Sequence, residues 1–263
     1  MDAANTTTTL LTVQGLTKSF GGVHAVRDCS FAVQQGTVTG LIGPNGAGKS
    51  TAIDVIAGFQ RPDVGVVRFG DQQIQGWPAH RISRLGLMRT FQAAREWAGL
   101  TVMENMLVAA PQQGRDTVWR ALVAPGQLRR AEQEDRLRAR EILDQFGLLA
   151  LRDELAGNLS GGQKRLLEFA RIALARPHMV LLDEPLAGVN PVLGHRMGQA
   201  IESLVEGGIT VLMVEHNLPF VERICGTVIV MALGTCIATG DMQTLRGDAA
   251  VVDAYLGQVA AGA

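Results

Sequence analysis

The nonapeptide GPNGAGKST at residues 43–51 spaces Gly43, Gly48, Lys49 and Ser50 as a loop that can wrap phosphate. Its glycines free backbone N–H groups to face phosphate oxygens. The Lys49 ammonium can reach the β and γ phosphates, and the Ser50 hydroxyl can bind Mg²⁺. Further along, MVLLDEP at 179–185 ends an apolar run in Asp183 and Glu184. Two carboxylates there can divide the work, Asp183 holding the metal directly or through water and Glu184 orienting or deprotonating the attacking water. Alone, the run reads as a strand ending in a solvated acidic turn; the phosphate loop upstream shifts the balance. Between the two, Leu159, Ser160, Gly161, Gly162 and Gln163 place a second glycine pair at the start of a helical pattern, where bare N–H groups can again meet phosphate. Two such sites for one nucleotide in one chain suggest two chains.

Three further residues depend on context. His216 follows the run ITVLMVE, and a histidine at a strand's C-terminal edge can touch a γ-phosphate, although by spacing alone it reads as an ordinary turn residue. Gln92 closes the segment Met88-Arg89-Thr90-Phe91-Gln92 and gains meaning from standing at the entry to a helical insert. Phe20 precedes the Gly21-Gly22 turn and either stacks on adenine or fills the core at a strand end; the sequence leaves both open.

These groups need a scaffold that brings strand ends together. Leu10 to Gly15 and Cys29 to Val33 alternate as strands, and Thr37 to Ile42 is a fuller apolar run that predicts a buried strand feeding the glycine loop. Lys49 to Gly58 then reads as a helix ended by glycine. Val66 to Phe69 is a strand between turn signals. From about Pro78 the charged residues crowd together, and Leu128 to Phe146 predicts a helix whose Glu132, Glu134, Asp135 and Glu141 interleave with arginines as a solvated face. Helices over Gln163–Ala175, Gly194–Val205 and Leu218–Cys225 alternate with strands at Met179–Leu182, Thr210–Val214, Val228–Ala232 and Cys236–Thr239. That alternation predicts a mostly parallel sheet covered on both faces, an α/β fold.

Composition narrows the class. With 24 basic and 25 acidic residues among 263, no global field draws the chain to nucleic acid or to an anionic membrane. Thirty-one glycines and 5% aromatics suit an α/β protein with many tight turns. Cys29, Cys225 and Cys236 share no metal-ligand spacing and read as reduced core thiols. Residues 1–9 read as a disordered lead without the character of a secretory signal. Apolar runs such as Val228 to Leu233 are of strand length, far short of the roughly 20 residues that cross a bilayer.

Taken in order, a Walker A loop at 43–51, the Gln92 loop, LSGGQ at 159–163, a Walker B strand at 179–184, the turn Leu186 to Pro191 and the His216 switch resemble the ATP-binding subunit of ABC transporters over nearly the whole chain. RTFQ at 89–92, TVMEN at 101–105, VEHNL at 214–218 and the tail Ala254-Tyr255-Leu256-Gly257 look like the G-type ATPase of branched-chain amino acid importers. The resemblance implies a RecA-like P-loop NTPase core with an antiparallel β subdomain and an inserted α-helical subdomain: one ATPase domain over 10–258, the insert over 78–175. It implies ATP and Mg²⁺ as cofactors, with Phe20 and Gly43, Pro44, Asn45, Gly46, Ala47, Gly48, Lys49, Ser50 and Thr51 on the nucleotide. Ser50, Gln92 and Asp183 would serve the metal, and Glu184, His216 and Gln92 catalysis. Leu159 to Gln163 would close on the ATP of a second ATPase subunit. The implied partners are that subunit, two permeases and an extracytoplasmic substrate-binding protein, at the cytoplasmic face of the inner membrane, with no nucleic acid. Import of urea or short amides and export of lipid or polysaccharide are the alternatives; a soluble ABC ATPase of translation or repair fits least, because the chain has neither a second cassette nor a long coiled-coil insert.

Overall fold

The computed structural model describes residues 8–90, 96–111 and 125–254, with side chains from residue 130 in the last stretch. In chain order the strands are β1 (Thr9–Phe20), β2 (Val23–Gln34), β3 (Val38–Ile42), β4 (Val64–Phe69), β5 (Gln72–Gln73), β6 (Leu87–Arg89), β7 (Met179–Asp183), β8 (Thr210–Val214), β9 (Thr227–Ala232) and β10 (Thr235–Gly240). The helices are α1 (Lys49–Ile56), α2 (Ala79–Arg84), α3 (Val102–Ala109), α4 (Pro125–Gln145), α5 (Gly161–Ala175), α6 (Pro191–Glu206), α7 (Leu218–Ile224) and α8 (Met242–Arg246). They divide between two compact units, one drawn from Met1–Gln92, His178–Gly188 and Gly208–Ala263, the other from Ala93–Pro177 and Val189–Gly207.

The first unit holds both sheets. Its antiparallel sheet runs β2-β1-β4-β5. β1 and β2 are joined by Gly21 and Gly22 at φ 53° and 88°, the left-handed pair that a two-residue hairpin turn requires. Both strands are longer than the alternation predicts, because Gly15 at φ 57° coincides with a register shift between Val13 and Leu16 that breaks the period. Residues 1–7 of the expected lead lie outside the described residues; Thr9 already stands in β1.

The second sheet runs β10-β9-β3-β8-β7-β6, with β9, β3, β8, β7 and β6 parallel and β10 antiparallel to β9. Every residue of β3, β7 and β8 is buried, as continuous apolar runs in a parallel sheet should be. Leu11, Val13, Leu16 and Val33 from the antiparallel sheet join Leu41, Ile53, Leu181 and Ile229 in one core. The two sheets are tied by the backbone of β2, whose Arg27 N–H donates to the Gly234 carbonyl at 2.8 Å.

The second unit is helical. Thr101 caps α3 in a reciprocal box with Glu104, a gain of about 1 kcal/mol for such a cap. Asn105 is fully buried and clamps the preceding chain: its Oδ1 accepts from Trp97 N–H at 2.9 Å, and its Nδ2 donates to the carbonyls of Trp97 at 3.0 Å and Thr101 at 2.9 Å. On α4 the exposed Arg136–Glu132 pair at 3.2 Å fits the expected solvated face. Asp135 does not: it is 5% exposed, because it lies in the same i, i+4, i+8 line as the buried Ala139 and Leu143.

Candidate functional site

Strand register decides which side chains meet. Leu41 of β3 and Asp183 of β7 both stand opposite Val214 of β8, so the chain leaves all three strands at the same level. The loops beginning at Gly43, Glu184 and Glu215 therefore share the C-terminal edge of the sheet, where parallel α/β sheets gather ligand groups.

The glycines of the 43–51 loop do different work. A β-carbon on Gly43, at φ 147°, would stand 2.0 Å from the Met231 carbonyl oxygen, and one on Gly48, at φ 94°, 2.2 Å from that of Ala25. These two let the loop nest against neighbouring backbone, and the Ala47 carbonyl accepts from Gly234 N–H at 3.1 Å. Gly46, at φ 78°, faces open space and is exposed, leaving its backbone accessible to a ligand. Lys49 opens α1 at 6% exposure, its ammonium donating to the carbonyls of Gly43 and Pro44 at 2.8 Å each. Burial pulls it below the ordinary lysine range, opposed by the negative charges of Glu184 and Asp183. Ser50 is exposed beside it, in the first turn of α1.

Glu184 and His216 meet, with Oε1 and Nε2 2.8 Å apart. Glu184 sits at φ 47°, a left-handed backbone that a non-glycine residue holds only when its surroundings enforce it. Asp183 is 5% exposed; its Oδ2 accepts from Arg89 Nη2 at 2.9 Å, and Arg89 also pairs with Asp54 of α1. Among the described residues Asp183 Oδ1 is buried with no hydrogen-bond partner. An orphaned carboxylate oxygen costs about 1–3 kcal/mol or more, and a hard cation or its bound water would satisfy it. With the Ser50 hydroxyl on the same edge, the donor set fits Mg²⁺. Among the described residues no group of three or more His, Cys, Asp or Glu could hold a metal.

Phe20 is 46% exposed, with the Lys18 ammonium 5.2 Å from its ring centre, and is not a core residue. Gln92 lies outside the described residues. The signature segment belongs to the helical unit. There Ser160 caps α5 in a reciprocal box with Gln163, Oγ accepting from Gln163 N–H at 3.3 Å. The Gly161 and Gly162 N–H groups fall in the first turn and have no intrahelical acceptor. A β-carbon on Gly161 would meet nothing within 4 Å, whereas one on Gly162 would stand 2.6 Å from Leu193 Cδ2.

Sequence reasoning missed two residues of this edge. Arg89 was noted only within RTFQ, yet it anchors Asp183. Glu215 was passed over inside VEHNL; it is 4% exposed and accepts from Leu186 N–H at 2.8 Å. A carboxylate directly after a mostly apolar run and directly before the histidine was the available signal.

Comparison with known proteins agrees with this geometry. A family model described as ABC transporter matches residues 26–187. The chain is 40% identical over 248 residues to the probable branched-chain amino acid transport ATP-binding protein LivG of Archaeoglobus fulgidus, covering 94% of this chain and 95% of that one. It is 37% identical over 250 residues to the high-affinity branched-chain amino acid transport ATP-binding protein LivG of Escherichia coli (strain K12), covering 95% and 98%. Among solved structures, a nucleotide-free ATP-binding cassette from an ABC transporter superposes with a TM-score of 0.78 at 35% identity, over 94% of this chain and 99% of that one. The ADP conformation of an ATP-binding cassette of an ABC transporter gives 0.79 at 33% identity, over 95% and 100%. With a P-loop edge built as described, the chain belongs to the ABC transporter family, as one of its ATPase subunits.

Proposed function

We propose that this chain hydrolyses MgATP to drive the import of branched-chain amino acids. Residues 10–258 act as a single ATPase domain; the helical insert expected over 78–175 begins after the first unit's β6, since Leu87–Arg89 pair with β7. The observation that carries the substrate is likeness along nearly the full length to proteins named for branched-chain amino acid transport, in Archaeoglobus fulgidus, Escherichia coli and Pseudomonas aeruginosa. Its partners are a second cassette, a permease pair and an extracytoplasmic binding protein, with the chain at the inner face of the membrane. Among the described residues no helix is long and apolar enough to cross a bilayer, so the passage belongs to those permeases.

Phe20 stacks on adenine, residues 43–51 hold the phosphates, and Lys49 neutralises charge developing on the β and γ oxygens. Ser50, Asp183 and Gln92 would hold Mg²⁺, which would supply further charge neutralisation at the phosphates. Water attacks the γ-phosphorus as the bond to the ADP oxygen breaks; Glu184 takes the water's proton, and His216 keeps Glu184 in place. Leu159 to Gln163 of the second cassette, through the first-turn N–H groups of its glycines, completes the pocket. Reconstituted in vesicles with its permeases and binding protein, the chain is expected to hydrolyse ATP faster when leucine or valine is supplied outside. Stimulation by urea and not by leucine would move the substrate to short amides, and no stimulation by either would remove the importer reading.

Trp97 and Arg95 are proposed to meet the permease. The Trp97 ring is 45% exposed, stacked at 4.3 Å on Arg171, and the backbone beneath it is fixed by Asn105. Arg95 lies outside the described residues. In a Trp97→Ala, Arg95→Ala double variant, transport should fall about 10-fold or more, as for loss of an aromatic and an arginine hot spot, while ATP binding is unchanged. Undiminished transport would place the contact elsewhere.

A further inference from the structure

We propose that Glu215 is a positioning residue for hydrolysis: its single buried carboxylate fixes the two backbone segments that carry Glu184 and His216. The proposal rests on the reading that Glu184 activates water and His216 steadies it. Glu215 directly follows β8, yet its side chain turns inward and is 4% exposed. Oε1 accepts from Leu186 N–H at 2.8 Å; Oε2 accepts from His216 N–H at 3.1 Å and from Asn217 N–H at 3.4 Å. Leu186 lies two residues beyond Glu184, so one oxygen holds the turn after the catalytic acid and the other holds the backbone of the histidine.

The chemistry demands a carboxylate. Three N–H groups converge on two oxygens, and an ionised carboxyl is the one side chain of this size that only accepts. Such charge-assisted bonds are stronger than neutral ones. Glutamine in its place would keep one acceptor and turn an NH₂ toward the donors on the other side, so one segment would be released. The segment around Glu184 needs a restraint, because its φ of 47° is a conformation the residue does not choose freely. Main-chain bonds hold it too, Glu184 N–H to the Val214 carbonyl and Ala187 N–H to the Glu184 carbonyl, each at 3.0 Å. Glu215 adds a side-chain tie that links the backbone on both sides of the Glu184–His216 contact, 2.8 Å between Oε1 and Nε2, through one group.

The test compares Glu215→Gln, Glu215→Ala and Glu184→Gln in the full chain, measuring ATP affinity, KM and kcat per ATP-binding molecule. For Glu215→Gln, kcat should fall about 10- to 100-fold, the loss that small misplacement of reacting groups produces, with ATP affinity and KM within about two-fold of wild type. Glu215→Ala should lose at least as much. A kcat unchanged in Glu215→Gln while Glu184→Gln is inactive would overturn the proposal and leave the water-activating reading standing. A parallel loss of ATP affinity and kcat would also overturn it, marking Glu215 as general support for the fold. Wild-type turnover in Glu184→Gln would overturn the underlying reading, and the proposal with it. If the Gln and Ala variants do not fold, Glu215→Asp carries the same test: its shorter arm keeps the charge but cannot reach both segments, so a lowered kcat at unchanged KM supports positioning and an unchanged kcat refutes it.

Discussion

Exchange of Glu184 for Gln is expected to lower kcat for ATP hydrolysis about 100- to 10,000-fold, the usual contribution of a positioned general base, while ATP still binds with near wild-type affinity. The exchange is close to isosteric, so the contact with His216 Nε2, now at 2.8 Å, has a partner of the same reach. What is lost is the capacity to take a proton from water. Lys49 keeps its bonds to the Gly43 and Pro44 carbonyls and its negative neighbour Asp183. The variant should therefore accumulate as a paired, ATP-bound species. Single-turnover hydrolysis, with size-exclusion chromatography in the presence of MgATP, reads both parts. Wild-type hydrolysis would remove the water-activating role from Glu184.

The second large effect is on stability and separates two glycines three residues apart. Gly43→Ala puts a methyl group where the Met231 carbonyl oxygen already lies, 2.0 Å from the β-carbon position, at φ 147°. Neither loop nor strand can move aside without breaking the pairing of β3 with β9. A loss above about 4 kcal/mol is expected, in the range reserved for severe local disruption and close to the whole stability of many domains. Gly46→Ala has open space around it and bears only the left-handed backbone at φ 78°, a cost of about 1–2 kcal/mol. Urea denaturation of both variants measures the difference; equal losses would mean that the close approach at Gly43 is relieved by backbone adjustment.

Much of this architecture could be read from residues because local signals and tertiary needs coincide. The runs at 38–42, 179–183 and 210–214 are mostly apolar, buried along their whole length, and are central parallel strands; Gly43 and Gly48 stand where the loop requires them. β6 could not be foreseen. Its three residues, Leu87 to Arg89, are too few to show a period, and only pairing with β7 makes them a strand. α3 was missed too, although Thr101 and Glu104 spell its cap, because its apolar content is matched by the chain around it. Asp135 shows the opposite failure: composition put it on a solvated face, and helical phase put it inside. Arg89 and Glu215 escaped because their roles arise across the sheet edge, from atoms far apart in sequence.

The two glycine-bearing segments differ in what opposes them, and this sets how each can change over generations. At positions 43 and 48 the obstructing atoms are carbonyl oxygens of Met231 and Ala25, present whatever residue stands there. No exchange at 231 or 25 makes room, so a side chain gained in the phosphate loop has no compensating partner. At position 162 the obstruction is the tip of Leu193, which a smaller residue would withdraw. Within one chain, position 162 can therefore take a side chain through a paired exchange at 193, and among the described residues nothing stands within 4 Å of a β-carbon at 161. The loop of 43–51 is fixed in sequence by a neighbour whose own sequence is free.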